Sequence, residues 1–165
     1  MSEPTRAPWD LMTKAVELCI HHVDSGGPPF VGQLLHSDGQ VSAPGVNLVL
    51  ETGDPTAHAE ITAIRQALRE HGPAGVRGAV LLATGEPCGM CYRFAAAHGI
   101  AEVHYAVDRD TAAAWGFDYR PGYRPGYPSG GTEPLPLERD ARHLPVSRAL
   151  VPFTRYRTLH HPASI

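Results

Sequence analysis

Two short segments carry residue types that can do chemistry together. One is His58-Ala59-Glu60. The other, thirty positions after the histidine, is Cys88-Gly89-Met90-Cys91, with Pro87 before it. Apolar spacing places each at the start of a helix. Unpaired N–H groups and the helix dipole there favour negative charge, and so the thiolate form of cysteine. One imidazole and two thiolates form a borderline-soft donor set that suits Zn2+ in tetrahedral geometry. No fourth ligand stands at a convincing spacing, which leaves a position open for water. Zinc lowers the pKa of such a water towards neutrality. Glu60, two residues beyond His58, is placed to take that water's proton and return it to a leaving group without binding the metal. Taken alone, Cys-x-x-Cys also reads as a thioredoxin-like redox pair, and His-x-Glu carries almost no information. The two together, in this order and each opening a helix, single out the metal reading. The plainer alternatives are a buried histidine with a structural cysteine pair, and Glu60 as an ordinary carboxylate of a first helical turn.

Hydrophobic spacing defines the elements that must position these residues. Residues 9–24 bring Met12, Ala15, Val16, Cys19, Ile20 and Val23 to one helical face, and Ser25-Gly26-Gly27-Pro28-Pro29 ends the run. Residues 30–37 read as a strand, Asp38-Gly39 as a tight hairpin turn, and 40–51 as the returning strand, with an irregularity at Pro44-Gly45. Residues 57–70 form a helix stopped by His71-Gly72-Pro73. Residues 79–84 are a continuously apolar strand of the kind buried on both faces. A helix over 89–98 ends on Gly99, a strand spans 102–107, and one or two helical turns cover 111–115. This order predicts a mixed sheet with helices on both faces. Residues 119–131 hold Tyr-Arg-Pro-Gly twice and then Tyr127-Pro128, an ordered or semi-ordered loop. Residues 144–153 read equally as strand or helix.

With 165 residues the chain predicts one domain, 1–165, able to bury a core without disulfides. Its 42% apolar and 19% charged content excludes a disordered tail or a coiled coil. No apolar run approaches the roughly 18 residues that span a bilayer, and Met1 to Asp10 shows no secretory leader, so a cytoplasmic address without membrane contact is expected. Fourteen basic against seventeen acidic residues give −3, and Lys14 is the one lysine. That balance argues against duplex DNA or long RNA as the main partner. Cys19, Cys88 and Cys91 are too few for a disulfide framework.

The two motifs resemble those of the cytidine deaminase superfamily, the zinc-dependent CMP/dCMP-type deaminases. Within it, Asp54-Pro55-Thr56-Ala57-His58-Ala59-Glu60-Ile61-Thr62-Ala63-Ile64-Arg65, Glu86-Pro87-Cys88-Gly89-Met90-Cys91 and Gly116-Phe117-Asp118 are most similar to bacterial guanine deaminases and related nucleobase or nucleoside deaminases. The resemblance covers residues 10–118. It implies an α/β chain with the three-layer αβα cytidine deaminase-like fold and a five-stranded mixed sheet. The core would span about 9–118, a loop and C-terminal segment 119–165, and the assembly would be a homodimer. It implies one Zn2+ per chain on His58, Cys88 and Cys91, and Glu60 as proton shuttle. Phe30, Asn47, Ala59, Trp115 and Asp118 would contact substrate: Phe30 by packing, Asn47 by its amide, and Asp118 by reading a purine or assisting proton transfer. The sequence departs from the guanine deaminase pattern in three places. Gly85 stands where Cys is usual, Tyr92-Arg93-Phe94 follows the second cysteine, and the Tyr-Arg-Pro-Gly loop and the tail His160-His161-Pro162 are unfamiliar.

The expected activity is hydrolytic deamination of an amino-substituted nucleobase or nucleoside, with guanine or guanosine favoured and cytosine or cytidine next. Adenosine in a tRNA loop and a zinc-stabilised scaffold without catalysis are the other readings. The acidic balance opposes the former and an intact Glu60 the latter. Phe30, Trp115 and Phe117 divide evenly between packing and base stacking. Tyr119, Tyr123 and Tyr127 read as surface or interface residues, Cys19 as a small core residue, and the remaining histidines, His21-His22 and His160-His161 among them, as structural.

Overall fold

The computed structural model describes residues 8–124 and 134–160. Helix α1 (Pro8–Asp24) buries the stripe Leu11, Met12, Ala15, Val16, Cys19, Ile20 and Val23, which recurs at the three- and four-residue steps of one helical face. Strand β1 (Val31–Leu35) pairs antiparallel with β2 (Gly45–Val46) on one side and β3 (Val80–Gly85) on the other. Strands β4 (Glu102–Val107) and β5 (Ala141–His143) follow β3 in parallel, giving the five-stranded order β2-β1-β3-β4-β5. The helices are α2 (Val49–Thr52), α3 (Ala59–Val76), α4 (Gly89–Ala97), α5 (Arg109–Ala114) and α6 (Val151–His160).

The period-2 alternation of the strands separates two cores. Leu34, Leu81 and Val103 pack with Ile64 and Ala67 of α3 and Tyr92 and Ala95 of α4. On the opposite face, Leu82 and Ala106 pack with Met12 and Val16 of α1, Ala112 of α5 and Phe153 of α6. The expected three-layer αβα arrangement with a mixed five-stranded sheet is the one observed.

Several elements differ from expectation. The returning strand of the hairpin shrinks to Gly45–Val46. Past an isolated pairing of Val41 with Leu35, Pro44 has no N–H to give, and the chain turns into α2, which ends on the left-handed Gly53 (φ 70°). The path of α3 breaks at Gly72 (φ 72°, ψ 174°), as the breakers predict, but resumes for one more turn to Val76. Helix α5 starts earlier than expected because Asp108 caps it, accepting a hydrogen bond from Thr111 N at 2.7 Å. Residues 144–146 are irregular and 147–150 form a turn, so the helix begins only at Val151, in α6. The short β5 carried no periodic signal. Tyr127, His161 and Pro162 lie outside the described residues.

Candidate metal centre and active-site cleft

His58 immediately precedes α3 and Cys88 immediately precedes α4, both with extended backbone (φ −65°, ψ 157° and φ −69°, ψ 172°). Neither side chain caps its helix, so both are free to point at a common spot. Two glycines seat the start of α3 on the sheet. They face each other across β1 and β2. A Cβ on Gly32 would fall 2.9 Å from Glu60 Cα, and one on Gly45 only 2.4 Å from Ala63 N. Larger residues at these positions would lift His58 and Glu60 away from the cysteines.

His58 Nδ1 lies 3.4 Å from Cys88 Sγ and 3.5 Å from Cys91 Sγ, and the two sulfurs are 3.5 Å apart. Zinc bonds of about 2.3 Å to sulfur and 2.0–2.1 Å to nitrogen, at tetrahedral angles, put ligand atoms about 3.5–3.8 Å from one another. The sulfurs are far beyond the roughly 2.05 Å of a disulfide. Cys88 is the thiolate of the cluster. Hydrogen bonding with Cys91, and then the nearness of His58, brings the Cys88 thiol down to about 4. That same contact with Cys88, burial and the neighbouring Glu60 push Cys91 well up, and the bond to Cys88 raises His58. The donor set fits zinc. No other cluster of three such groups occurs among the described residues.

Glu60, in the first turn of α3, is 4% exposed, with Oε2 3.5 Å from Cys91 Sγ. Burial, reinforced by the negative charge of Cys88, raises its carboxyl to about 7. That value suits a group that must both accept and donate a proton near neutrality.

The cluster forms the floor of a cleft of about 330 Å3, at the low end of the range for small-molecule sites. Of the sequence-predicted contacts, Phe30, Asn47, Ala59 and Asp118 line it. Asn47 Oδ1 accepts a hydrogen bond from Val49 N at 3.1 Å, fixing the amide at the mouth of α2. Asp118 is exposed and forked onto Arg120 at 2.9 and 3.0 Å, which holds its carboxyl below the usual range. Trp115 is a correction, since it does not line the cleft. It lies beneath the Arg157 guanidinium at 4.1 Å and borders a separate depression with Tyr156. The reason is Gly116 (φ 100°), which turns the chain after α5 so that Phe117 enters the cleft instead.

Sequence reasoning missed a polar network behind the cysteine motif. Glu86, 4% exposed, accepts hydrogen bonds from Arg109 N (2.8 Å), Arg109 Nη2 (2.9 Å) and Tyr92 OH (3.0 Å). Arg109 also reaches Glu138 at 2.7 Å and stacks on the Tyr123 ring at 3.9 Å. Tyr119 OH donates to the Glu86 carbonyl (2.6 Å) and Tyr123 OH to the Pro87 carbonyl. Tyr119 and Tyr123 are therefore not surface residues. Tyr123 is fully buried, and together they brace the turn that presents Cys88. The only sequence signals were an acid directly before Pro-Cys and the doubled Tyr-Arg-Pro-Gly. Cys19 is a core residue as expected, its thiol pushed up by burial to about 12.

A mixed-sheet core with a His/Cys/Cys cluster at two converging helix starts, beside a buried acid, has the parts of a zinc-dependent hydrolase. Residues 7–107 match the model of the cytidine and deoxycytidylate deaminase zinc-binding region, and the chain belongs to that family. It is 39% identical over 108 residues to guanine deaminase of Bacillus subtilis, covering 65% of this chain and 69% of that one. It is 44% identical over 84 residues to a tRNA-specific adenosine deaminase of Agrobacterium fabrum, covering 51% of this chain and 55% of that one. The solved guanine deaminase of Nitrosomonas europaea superposes with a TM-score of 0.72 at 26% identity, over 92% of this chain and 85% of that one. Among the described residues no helix is long and apolar enough to cross a membrane.

Proposed function

We propose that the whole chain is one deaminase domain that hydrolyses the exocyclic amine of a free purine base, guanine first, to the oxo product and ammonia. The observation that carries this reading is the buried Glu60 beside the His58/Cys88/Cys91 triad, at the floor of an aromatic-walled cleft. Likeness to two guanine deaminases supports the choice of base.

His58, Cys88 and Cys91 would hold zinc, which supplies an acidified water when bound. Glu60 accepts the proton of the attacking water. It then passes that proton to the ring nitrogen next to the amino-bearing carbon, takes the remaining proton of the added hydroxyl, and hands it to the departing amine as the C–N bond breaks and the carbonyl forms. Burial keeps the carboxyl near the pKa at which both transfers are accessible. Phe30 packs the ring, Ala59 borders it at the helix start, and Asn47 offers its amide to a ring edge. Asp118 stands at the rim, where its fork to Arg120 makes it a fixed acceptor for a substrate N–H. The reading includes a cytoplasmic homodimer; exposed apolar side chains such as Leu50 and Leu159 are the surface such an assembly would cover.

The test is ammonia release from guanine, guanosine, cytosine, cytidine, adenine and aminotriazines by protein carrying about one zinc per chain, the count one three-ligand site implies. The expected result is turnover of guanine with a KM independent of salt. Activity confined to pyrimidines, or to tRNA with steep salt dependence, overturns it.

A further inference from the structure

Phe30 and Phe117 wall the cleft, yet neither belongs to a helix or strand. Phe30 precedes β1 and Phe117 follows α5, so no regular element fixes the tilt of either ring. Both rings meet Phe153 of α6. Its ring centre lies 5.6 Å from that of Phe30 at an interplanar angle of 88°, and 5.9 Å from that of Phe117 at 80°. Phe30 and Phe117 close the triangle at 5.2 Å and 85°. All three contacts are edge-to-face, an arrangement that aromatic quadrupoles prefer. Phe153 is 1% exposed and does not border the cleft; it stands behind the two rings that do. The chain is tied down on both sides of it, by Arg148 to Glu17 at 2.7 Å before the ring, and after it by Arg155 to Asp24 at 3.0 Å and Arg157 to the Ala114 carbonyl at 3.2 Å.

We infer that Phe153 is a positioning residue for substrate binding: from the C-terminal helix it holds Phe30 and Phe117 at the tilt that makes them one wall for a planar heterocycle. The inference rests on the reading of this cleft as the substrate site, and adds to it a residue that never touches the substrate. A flat ring is gripped only while both walls keep their angle. With the third ring gone, Phe30 and Phe117 gain orientations that do not fit it, and the binding-competent fraction falls. Two lost edge-to-face pairs correspond to about tenfold in such an equilibrium. His58, Glu60, Cys88 and Cys91 stand at the starts of α3 and α4 and not in the triangle, so a base once bound reacts at an unchanged rate.

The experiment measures kcat and KM for ammonia release by the zinc-loaded full chain, well below the melting temperature of each variant, with the base the parent protein deaminates. Phe153→Leu should raise KM for guanine about tenfold, change kcat less than threefold and leave zinc content as it was. On a Phe30→Leu background the same substitution should raise KM less than threefold, the share that runs through Phe117, while still lowering Tm. If Phe153→Leu does not fold, Phe153→Met, which fills similar space without a ring, carries the test and should raise KM at least threefold with kcat held. A lower Tm with unchanged KM, a loss confined to kcat, a loss of zinc, or an undiminished KM effect with Leu at 30 overturns the inference. A parent protein that deaminates cytosine and not guanine overturns the purine reading alone, and the same measurements with cytosine then decide on Phe153. A parent protein that deaminates no base overturns both.

Discussion

Truncating Arg109 to alanine tests whether the network behind the cysteine motif is a structural brace. The substitution removes three of the contacts on the Glu86 carboxylate and its neighbour: Nη2 to Glu86 (2.9 Å), Nε to Glu86 (3.3 Å) and Nη2 to Glu138 (2.7 Å). Glu86 keeps only the residue-109 backbone N–H and Tyr92 OH, yet stays almost wholly buried. Breaking a buried ion pair costs about 3–5 kcal/mol. The Arg109 side chain is 20% exposed and Glu138 keeps Arg124 at 3.7 Å, so about 3 kcal/mol is the appropriate end of that range. For a chain of this size that is a fall in Tm of about 6–12 °C. Loss of the cation over the Tyr123 ring also slackens the bond to the Pro87 carbonyl, and zinc affinity should fall about 10- to 100-fold, as for other changes behind metal ligands. Thermal melts of the zinc-loaded protein and zinc transfer to a colorimetric chelator measure both. A Tm change under 2 °C, with unaltered zinc transfer, would refute the view that Glu86 depends on Arg109 and that the brace reaches the metal.

Three more outcomes follow from the geometry. Glu60→Gln should retain zinc by metal analysis while kcat for ammonia release drops by about 10²–10⁴, the size of an acid–base contribution; an active variant removes Glu60 from the mechanism. Asp108→Ala removes the α5 cap and should cost about 1 kcal/mol at pH 7. The Asp108 carboxyl is held below its ordinary value, chiefly by the Thr111 N–H, so its contribution is complete above the unfolded carboxylate pKa and is lost as pH falls through the folded one. The Tm gap between this variant and the parent should therefore narrow in acid, and a gap that widens there contradicts the assignment. Gly45→Ala, whose Cβ would press on Ala63 N and Ala59 O, should lower both Tm and zinc affinity; unchanged zinc retention would show that α3 does not need its glycine seat.

The metal cluster was legible because its chemistry is local. His58 and Cys88 each open a periodic helix, the Cys88–Cys91 step is one helical turn, and the resemblance of the paired motifs to those of zinc deaminases implied that they converge. The strands 79–84 and 102–107 were readable for the same reason, as apolar runs bounded by breakers. What stayed hidden depends on distant partners. Glu86 is an unremarked acid until Arg109, 23 residues further along, reaches it, and Arg109 is itself held by Glu138 another 29 residues on. Tyr123 sits in a Pro- and Gly-rich repeat whose composition says loop, yet an aromatic in such a loop is buried wherever the loop closes over a core. Trp115 and Phe117 are two residues apart, and only the positive φ of Gly116 decides which of them reaches the cleft.

The glycine seat has a further consequence. It lies on the outermost rung of the sheet, where β2 offers two residues and two glycines face each other without side chains to interlock. Strand ends of this kind fray at free energies far below those that open a central β3–β4 ladder. Heat should therefore disarm the centre before it melts the fold: activity would fade over a range in which the far side of the sheet still holds its amide protons.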